Sequence, residues 1–202
     1  MSNTIVKRKQ QILNVTAKLF REKGFAASSM RDIASELGIE ASSIYHHISS
    51  KDELLQTICF GMVDKFILAL KEVNDIYFNA EEKLRMAINL HVKLMTENIN
   101  HSVVFLNEWR NLKEPHLSDY KNLREQYESE FRHIIVQGKD ENIFDDVDLG
   151  FATLTILSTI NWIYHWYDPN GDVTPEEIAT KLSDFILGGL RKKLVTDINY
   201  LP

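Results

Sequence analysis

Apolar residues recur along most of this 202-residue chain at intervals of three and four, the spacing of one face of an α-helix. No segment alternates apolar and polar residues between turn signals, as a half-buried strand does. Helix start signals of the capping-box type occur at Ser29–Asp32, Ser50–Glu53, Asn79–Glu82 and Thr174–Glu177. Together these patterns predict an all-α fold with about nine helices.

The composition is that of an ordinary globular protein. Apolar residues make up 44% and charged residues 26%, which excludes bulk disorder. A single cysteine, Cys59, excludes an internal disulfide framework and a zinc knuckle. No apolar signal segment follows the basic residues near the N-terminus, so we expect a cytoplasmic protein. Residues 149–167 are uncharged, but acidic residues flank them on both sides, and we predict a buried bundle helix rather than a membrane span.

Charge divides the chain into two parts. The formal net charge is −6, yet residues 1–53 carry eight Lys or Arg against six Asp or Glu, and the remainder carries 15 against 23. A weakly basic segment on an acidic body is typical of a polyanion-binding module joined to a second unit, although so small an excess also arises by chance. We predict a head at residues 1–50 and a body at residues 51–202, and we expect the long helix that begins at Lys51 to be shared by both.

The head has the ingredients of a helix-turn-helix. A first helix to about Lys23 precedes two short predicted helices, at about 30–37 and 41–47, which Gly38 separates. The outer face of the second short helix presents Ala41, Ser42, Ser43, Tyr45 and His46. Small residues at its N-terminal end permit entry into the DNA major groove. Three-helix clusters are common, so this geometry alone leaves DNA binding open.

The head sequence resembles the N-terminal domain of TetR-family transcriptional regulators over about residues 5–60. The resemblance combines an Ile33-Ala-x-x-x-Gly38 core, a Tyr45-x-His47 recognition helix and a Ser50-Lys-x-Glu-Leu54 helix start. It implies an all-helical homodimer that binds double-stranded operator DNA, with a divergent C-terminal body that binds a small-molecule effector.

The resemblance also implies roles for individual head residues. Ser28 stands where the family usually has a Thr whose hydroxyl meets a phosphate, and Lys51 matches a lysine that holds a phosphate at a helix start. Tyr45 matches an aromatic residue that packs on the sugar-phosphate backbone or on a thymine methyl. His46 and His47 match groove-edge and phosphate contacts.

The head departs from the family pattern at three positions. Glu40 replaces the usual Ser or Thr before the recognition helix and is a poor N-cap, Ser42 replaces a frequent Gly, and Ile48 replaces a frequent Phe. The recognition helix also lacks Arg and Lys, so the common bidentate contact to guanine is missing. We therefore expect more weight on thymine methyls and DNA shape.

The last two predicted helices, the final one running to about Leu194, carry more apolar surface than one protomer needs. The residues concerned are Ile160, Ile163, Ile178, Leu182, Phe185, Ile186 and Leu190. We predict that they pair with a second copy in a four-helix interface, where Gly188 and Gly189 allow close approach. A purely intramolecular core is the alternative.

Aromatic and polar residues in the body form a candidate ligand-binding set. On an unbroken helix, Ser158, Asn161, Trp162 and His165 share one face. The remaining candidates are Phe105, Trp109, Arg110 and Trp166. Such residues on a buried helix either satisfy one another or line a pocket.

The body also resembles a subgroup of the same family, the regulators of fatty-acid, phenylacetate and steroid degradation that sense acyl-CoA thioesters. The matching segments are Phe105-Leu-Asn-Glu-Trp-Arg110, Asn161-Trp-x-x-x-Trp-Tyr-x-Pro-x-Gly171 and Thr174-Pro-Glu-Glu-Ile-Ala179. The resemblance implies an acyl chain in an apolar chamber lined by Phe105, Trp109, Trp162 and Trp166, and CoA phosphates near Arg110.

The residues give little support to an enzyme or a metal site. No P-loop, dinucleotide-binding glycine motif or HExxH is present, and Glu130 and His133 supply only half of a di-iron motif. His91 has no ligand-spaced partner, and we expect a surface or satisfied polar role. We predict a non-enzymatic, ligand-released repressor without metal or cofactor. The alternatives are the same fold sensing a drug and controlling an efflux gene, and an all-helical enzyme or lipid carrier with a vestigial head.

Overall fold

Nine α-helices make up most of the computed structural model, which describes residues 2–192. They are α1 Ser2–Lys23, α2 Met30–Leu37, α3 Ala41–Tyr45, α4 Lys51–Asp75, α5 Ala80–Glu97, α6 Ile99–Asn107, α7 His116–Asp140, α8 Leu149–Asn161 and α9 Pro175–Leu190. Short 3₁₀ turns follow α6 at Trp109–Asn111 and α8 at Trp162–His165. Across these residues the β structure is limited to one isolated bridge, between Phe144 and Arg191. The predicted all-α fold is confirmed.

The helix starts follow the capping signals of the sequence. Three of the four predicted capping boxes form in full: the N-cap side chains of Ser29, Asn79 and Thr174 each accept a hydrogen bond from the N3 backbone, and the N3 carboxylate accepts one from the N-cap backbone. At the fourth, the Ser50 side chain accepts from the Glu53 backbone, but the Glu53 carboxylate accepts from the backbone of Ser49 instead of that of Ser50. Gly38 ends α2 in the left-handed region at φ 64°, where glycine carries no steric penalty. Glu40 precedes α3 without a side-chain cap hydrogen bond, as its chemistry predicted.

Three predicted helices end earlier than the periodicity indicated. The helix at 41–47 stops at Tyr45, and α8 stops at Asn161, where a 3₁₀ turn takes over. α9 ends at Leu190 because Arg191 pairs with Phe144 in the bridge. The rest of the predicted extension to Leu194 lies outside the described residues.

The head packs its three helices around a small apolar core. Phe20, Ile33, Ile44 and Ile48 are buried there, and the rings of Phe20 and Phe25 meet edge to face with 5.3 Å between centroids. α1 packs against α2 and also reaches α6 in the body. The head core is therefore continuous with that of the body, and the boundary at residue 50 stays a prediction.

The body is a bundle centred on α4, which packs against α5, α6 and α7. α9 lies along α5, and α8 lies along α7. The side chains of Phe66, Tyr120 and Phe131 are fully buried at its centre. Within residues 2–192 no helix is long and apolar enough to cross a membrane, and the uncharged run of 149–167 is divided between α8, with 13 residues, and the turn after it.

Candidate DNA interface and ligand cavity

The outer face of α3 and of the turn that follows it is open to solvent. Its exposed or half-exposed side chains are Ser42, Ser43, Tyr45, His46 and His47. Tyr45 has 53% of its surface exposed, while Ile44 on the opposite side is fully buried and fixes the orientation of the helix. The predicted set thus shares one surface, but α3 is shorter than expected. The backbone N–H groups of His47 and Ile48 both donate to the carbonyl of Ile44, so the two histidines stand on a turn.

Ser28 and Lys51 serve the internal structure of the head in this conformation. The buried Ser28 donates its only hydroxyl proton to the Gly24 carbonyl at 2.8 Å. In this conformation the hydroxyl therefore has no proton left to donate to a phosphate, as the predicted contact requires. The Lys51 ammonium donates to the carbonyls of Phe25, at 2.7 Å, and Ser28, at 2.8 Å, and lies 4.2 Å from the centroid of the Phe25 ring. One of its three N–H groups remains for a phosphate. Because Lys51 begins α4, these contacts fasten the body helix to the loop between α1 and α2.

A cavity of about 110 Å³ lies between α4, α6, α7 and α8. Its wall includes Val63 from α4, Phe105 from α6, Arg124 and Tyr127 from α7, and Leu157 and Asn161 from α8. Ligand pockets usually measure roughly 300–1,000 Å³, so this cavity holds only a small group unless it opens. Of the predicted ligand residues, Phe105 and Asn161 lie in its wall.

Two arginine side chains pack on the indole ring of Trp109 beside this cavity. Its buried indole stacks on Tyr120 with 5.8 Å between centroids, and the guanidinium carbons of Arg110 and Arg124 lie 4.5 Å and 4.9 Å from the indole ring. Neither guanidinium forms an ion pair or hydrogen bond with another residue in the described part of the chain. The sequence analysis missed Arg124, although Tyr120, Arg124 and Tyr127 share one helical face by their spacing.

Trp162, His165 and Trp166 are not in the cavity wall. After Asn161 the backbone tightens to about three residues per turn, which rotates these side chains away from the face that Ser158 and Asn161 share. Trp162 is 59% exposed and its ring lies 3.7 Å from that of His165, and Trp166 is also exposed. The predicted common face therefore ends at Asn161, and a ligand-binding role for these three residues stays a prediction.

A buried polar pair, His91 and Tyr127, lies next to the cavity. His91, only 2% exposed, has its Nδ1 atom 2.7 Å from the Tyr127 hydroxyl. The His91 Nε2 atom has no hydrogen-bond partner among the described residues, contrary to the expected satisfied role. Burial lowers the pKa of His91 to about 3 and raises the pKa of Tyr127 well above its ordinary value, so both side chains are neutral at physiological pH.

The face shared by α8 and α9 differs from the predicted dimer surface. Ile160, Ile163, Ile178, Ile186 and Leu190 are buried within the protomer, and Leu182 is half-buried. The prediction was wrong for the five buried residues, because α5 and α7 already cover that side of the two helices, and it stays a prediction for Leu182.

The apolar side chains that remain exposed on this face are Phe185, at 79%, and Phe151, at 75%. A groove of about 620 Å³ runs between them, past Gly188 and Gly189. A Cβ atom added at either glycine would meet nothing within 4 Å. We call Phe151, Phe185, Gly188 and Gly189 the α8–α9 face.

Comparison with known families matches both parts of the chain. Residues 12–58 match the model of bacterial regulatory proteins of the tetR family, and residues 78–190 match that of the tetracyclin repressor-like C-terminal domain. These matches confirm the family resemblance of the head motifs.

Relatives and solved structures agree with this assignment. The HTH-type transcriptional repressor KstR2 of Mycobacterium tuberculosis is 26% identical over 189 residues, 92% of this chain and 94% of that protein, and its structure superposes with a TM-score of 0.88. PfmR, a TetR family transcriptional regulator from Thermus thermophilus, is 32% identical with a TM-score of 0.81, covering 90% of this chain and 99% of PfmR. AibR, solved in complex with isovaleryl coenzyme A and operator DNA, is 27% identical with a TM-score of 0.78, covering 88% and 97%.

Proposed function

The chain belongs to the TetR family of bacterial regulatory proteins, and from that premise we propose that it is a homodimeric transcriptional repressor released from operator DNA by a small effector. The observation that carries the proposal is the outer face of α3. Tyr45 and Ser42 project from it to solvent, and His46 does so from the turn that follows α3; all three lie within the segment that matches the family's N-terminal model. Side chains so presented can reach base edges and phosphates in a major groove.

Substitution of Tyr45 tests the DNA interface. Tyr45→Ala removes an exposed side chain, so the protein folds and dimerises normally. Its affinity for DNA from its own promoter region falls roughly ten- to hundredfold, since a lost contact at a specific site costs about 1–3 kcal/mol. A mobility-shift titration at several salt concentrations measures this. Tyr77→Ala, which removes a fully exposed tyrosine of the α4–α5 loop, is the matched control. Wild-type affinity in Tyr45→Ala contradicts the proposed interface, and absence of DNA binding by the wild type favours a lipid carrier.

The proposed homodimer uses the α8–α9 face. Exposed phenylalanines beside a groove are typical of an interface between protein chains. Open space at Gly188 and Gly189 leaves room for a helix of the second protomer. Two protomers related by a twofold axis present two copies of α3, which bind half-sites about one helical turn of DNA, or a multiple of it, apart.

The proposed effector is an acyl-CoA thioester. Arg110 and Arg124, which form no ion pair within residues 2–192, suit the CoA phosphates, and the adjoining cavity suits an acyl group. Because an apolar cavity of about 150 Å³ binds benzene, a cavity of 110 Å³ favours a short or branched acyl group over a long chain. The isovaleryl-CoA bound to AibR is a ligand of that kind.

The proposed release mechanism is a population shift carried by α6. Phe105 of α6 lines the cavity, and Asn100 at the other end of α6 accepts a hydrogen bond of 2.9 Å from Arg21 of α1 in the head. An effector that displaces Phe105 favours a different position of α6, and α1 follows. Only an effector that binds the two positions with different affinity changes DNA binding in this way.

Thermal unfolding with three probes tests the effector class. Isovaleryl-CoA should raise the Tm, while free isovalerate and a cationic dye such as rhodamine 6G should not, because only the thioester engages both the cavity and the guanidinium groups. A concentration of 100 Kd stabilises by about 2.7 kcal/mol. Arg124→Ala should reduce the shift, and Lys121→Ala, an exposed cation on the same helix, should not. Equal stabilisation by all three probes, or by the dye alone, contradicts the thioester.

A further inference from the structure

The His91 side chain leaves a polar atom unused inside the body. Its ring is packed against Phe66, with 4.7 Å between centroids, and stacks on Tyr127. The Nδ1 atom is engaged by the Tyr127 hydroxyl, whereas Nε2 is buried and has no partner among the described residues. Buried polar atoms are nearly always hydrogen-bonded, so an exception of this kind calls for an explanation.

The hydrogen bond to Tyr127 determines whether the Nε2 atom of His91 is a hydrogen-bond donor or an acceptor. Within residues 2–192 the Tyr127 hydroxyl has His91 Nδ1 as its only hydrogen-bond partner. If the hydroxyl donates to Nδ1, the single proton of the neutral ring resides on Nε2. If Nδ1 instead donates to the Tyr127 oxygen, two groups are left without a hydrogen-bond partner: the hydroxyl proton of Tyr127 and the lone pair of Nε2. The favoured arrangement therefore makes Nε2 a hydrogen-bond donor without an acceptor.

This donor adjoins the effector cavity. Tyr127 and Asn161 both line the cavity. The Asn161 side chain acts on the His91 ring as a hydrogen-bond acceptor, which partly offsets the lowering of the His91 pKa by burial, but it lies beyond hydrogen-bond distance of Nε2. On its other side His91 borders a gap of about 10 Å³ whose remaining lining, apart from Tyr127, is apolar: Phe66, Ala69, Leu70, Ala87, Leu90 and Leu94. A water molecule there would find few polar partners. An acceptor that enters from the cavity past Tyr127 and Asn161 would satisfy Nε2.

We propose that His91, held in one tautomer by Tyr127, donates a hydrogen bond from Nε2 to a carbonyl oxygen in the buried part of the effector. This rests on the proposed effector site and narrows its ligand class. The effector then carries an oxo group within its apolar portion, in addition to any thioester, and a plain hydrocarbon chain is the weaker ligand. Sites built around a buried donor discriminate strongly against ligands that leave it unpaired.

Two thioesters that differ at one carbon, a methylene in one and a carbonyl in the other, test the proposal. Butanoyl-CoA and 3-oxobutanoyl-CoA share the CoA moiety and the chain length, and calorimetry gives a Kd for each. We expect the wild type to bind the oxo compound about tenfold more tightly, the factor that one hydrogen bond contributes. His91→Phe keeps a planar ring without the donor and should lose the preference. His91→Gln, whose amide nitrogen takes the place of Nε2, should restore it, and Arg124→Ala should weaken both compounds equally.

Equal affinity of the wild type for the two thioesters overturns the proposal, as does an undiminished preference in His91→Phe. If neither thioester binds, the proposed effector class is wrong, but the proposed donor role of His91 Nε2 is not contradicted. Two compounds without CoA then test that donor role. Cyclohexanone and cyclohexane are added separately to wild-type protein labelled with ¹⁵N in its histidines. A change of the His91 Nε2 resonance with cyclohexanone alone supports the donor, and no change with either overturns it. Because this measurement uses the wild type, it stands even if His91→Phe fails to fold.

Discussion

The head and the body place their polar side chains in opposite ways. On α3 and the turn after it, the side chains of Ser42, Tyr45 and His46 face solvent, and Ile44 beneath them anchors the helix. In the body, His91 and Tyr127 are buried among aromatic rings. A surface that meets DNA requires side chains from one short segment, whereas a chamber draws its wall from four helices. The proposed DNA-binding surface can therefore be recognised as a sequence motif, whereas the cavity wall comes together only when the chain folds.

The largest effect among these tests is expected on the α8–α9 face, which in the proposed homodimer joins the two bodies so that the two heads act together. Phe185→Glu places a charge on a side chain that is 79% exposed, so the free energy of unfolding of the protomer should change by only about 0.5 kcal/mol or less. The dimer should weaken by at least about 2 kcal/mol, or roughly 30-fold, because two copies of a central aromatic are lost. Sedimentation equilibrium measures the effect, and Leu68→Glu, an exposed leucine of α4, is the control. A stable Phe185→Glu dimer places the interface elsewhere.

A second test concerns the junction between head and body. Lys51→Met removes two charge-assisted hydrogen bonds and a cation–π contact, and we expect the free energy of unfolding to fall by about 2 kcal/mol. DNA affinity should fall as well, because α4 is no longer fastened to the loop before α2. Urea unfolding followed by circular dichroism measures the first effect. Lys65→Met, at an exposed site of α4, should leave stability unchanged, and an equal loss there would show that Lys51 contributes only its charge.

The buried His91 of the body should make the stability of the fold sensitive to acid. The pKa of His91 is about 3 in the folded protein and about 6.5 in the unfolded chain, so below pH 6.5 the unfolded state binds more protons. The stability that the neutral histidine contributes is complete above pH 6.5 and is lost as the pH falls. The loss is about 1.4 kcal/mol per pH unit, reaching about 2 kcal/mol at pH 5.

Urea unfolding between pH 7 and pH 5 measures this loss, and His91→Gln should lack it. The pKa of His101 is also lowered by burial and by Lys65, so His101→Gln separates its share. An unchanged pH dependence in His91→Gln would mean that the ring is hydrated in solution.

The smallest effect is expected outside the cavity. Trp162→Ala removes a side chain that stacks on His165 at the surface, so effector affinity should change less than about twofold and stability by about 0.5 kcal/mol or less. Phe105→Leu, within the cavity wall, should change effector affinity more than Trp162→Ala does. Calorimetry with isovaleryl-CoA compares the two variants. A larger loss in Trp162→Ala restores the role that the sequence analysis assigned to this tryptophan.

These contrasts follow the limits of sequence inference. Helix starts were predictable because a capping box is made by residues three apart, as Thr174 and Glu177 illustrate. The common face of Ser158, Asn161, Trp162 and His165 was not, because it assumed an unbroken helix and the backbone changes to a 3₁₀ turn after Asn161. A hydropathy pattern identifies apolar residues without identifying their partners.

The dimer surface illustrates the same limit. Ile186 and Phe185 are adjacent and both apolar, yet α9 turns Ile186 into the protomer and Phe185 to solvent. Which of them is free depends on where α5 lies against α9, and that is a property of the packed bundle.

By itself, the sequence determined the all-α class, the helix starts and the position of the segment that we propose contacts DNA, because hydrogen bonds and side-chain spacing within a few residues set each of these. Tertiary structure alone decided that Arg124 joins Arg110 at Trp109, that Lys51 closes onto the α1–α2 loop, and that His91 keeps a nitrogen beside the cavity without a partner in residues 2–192. Those contacts join residues of separate helices, and their energies depend on burial, which exists only once the bundle has packed.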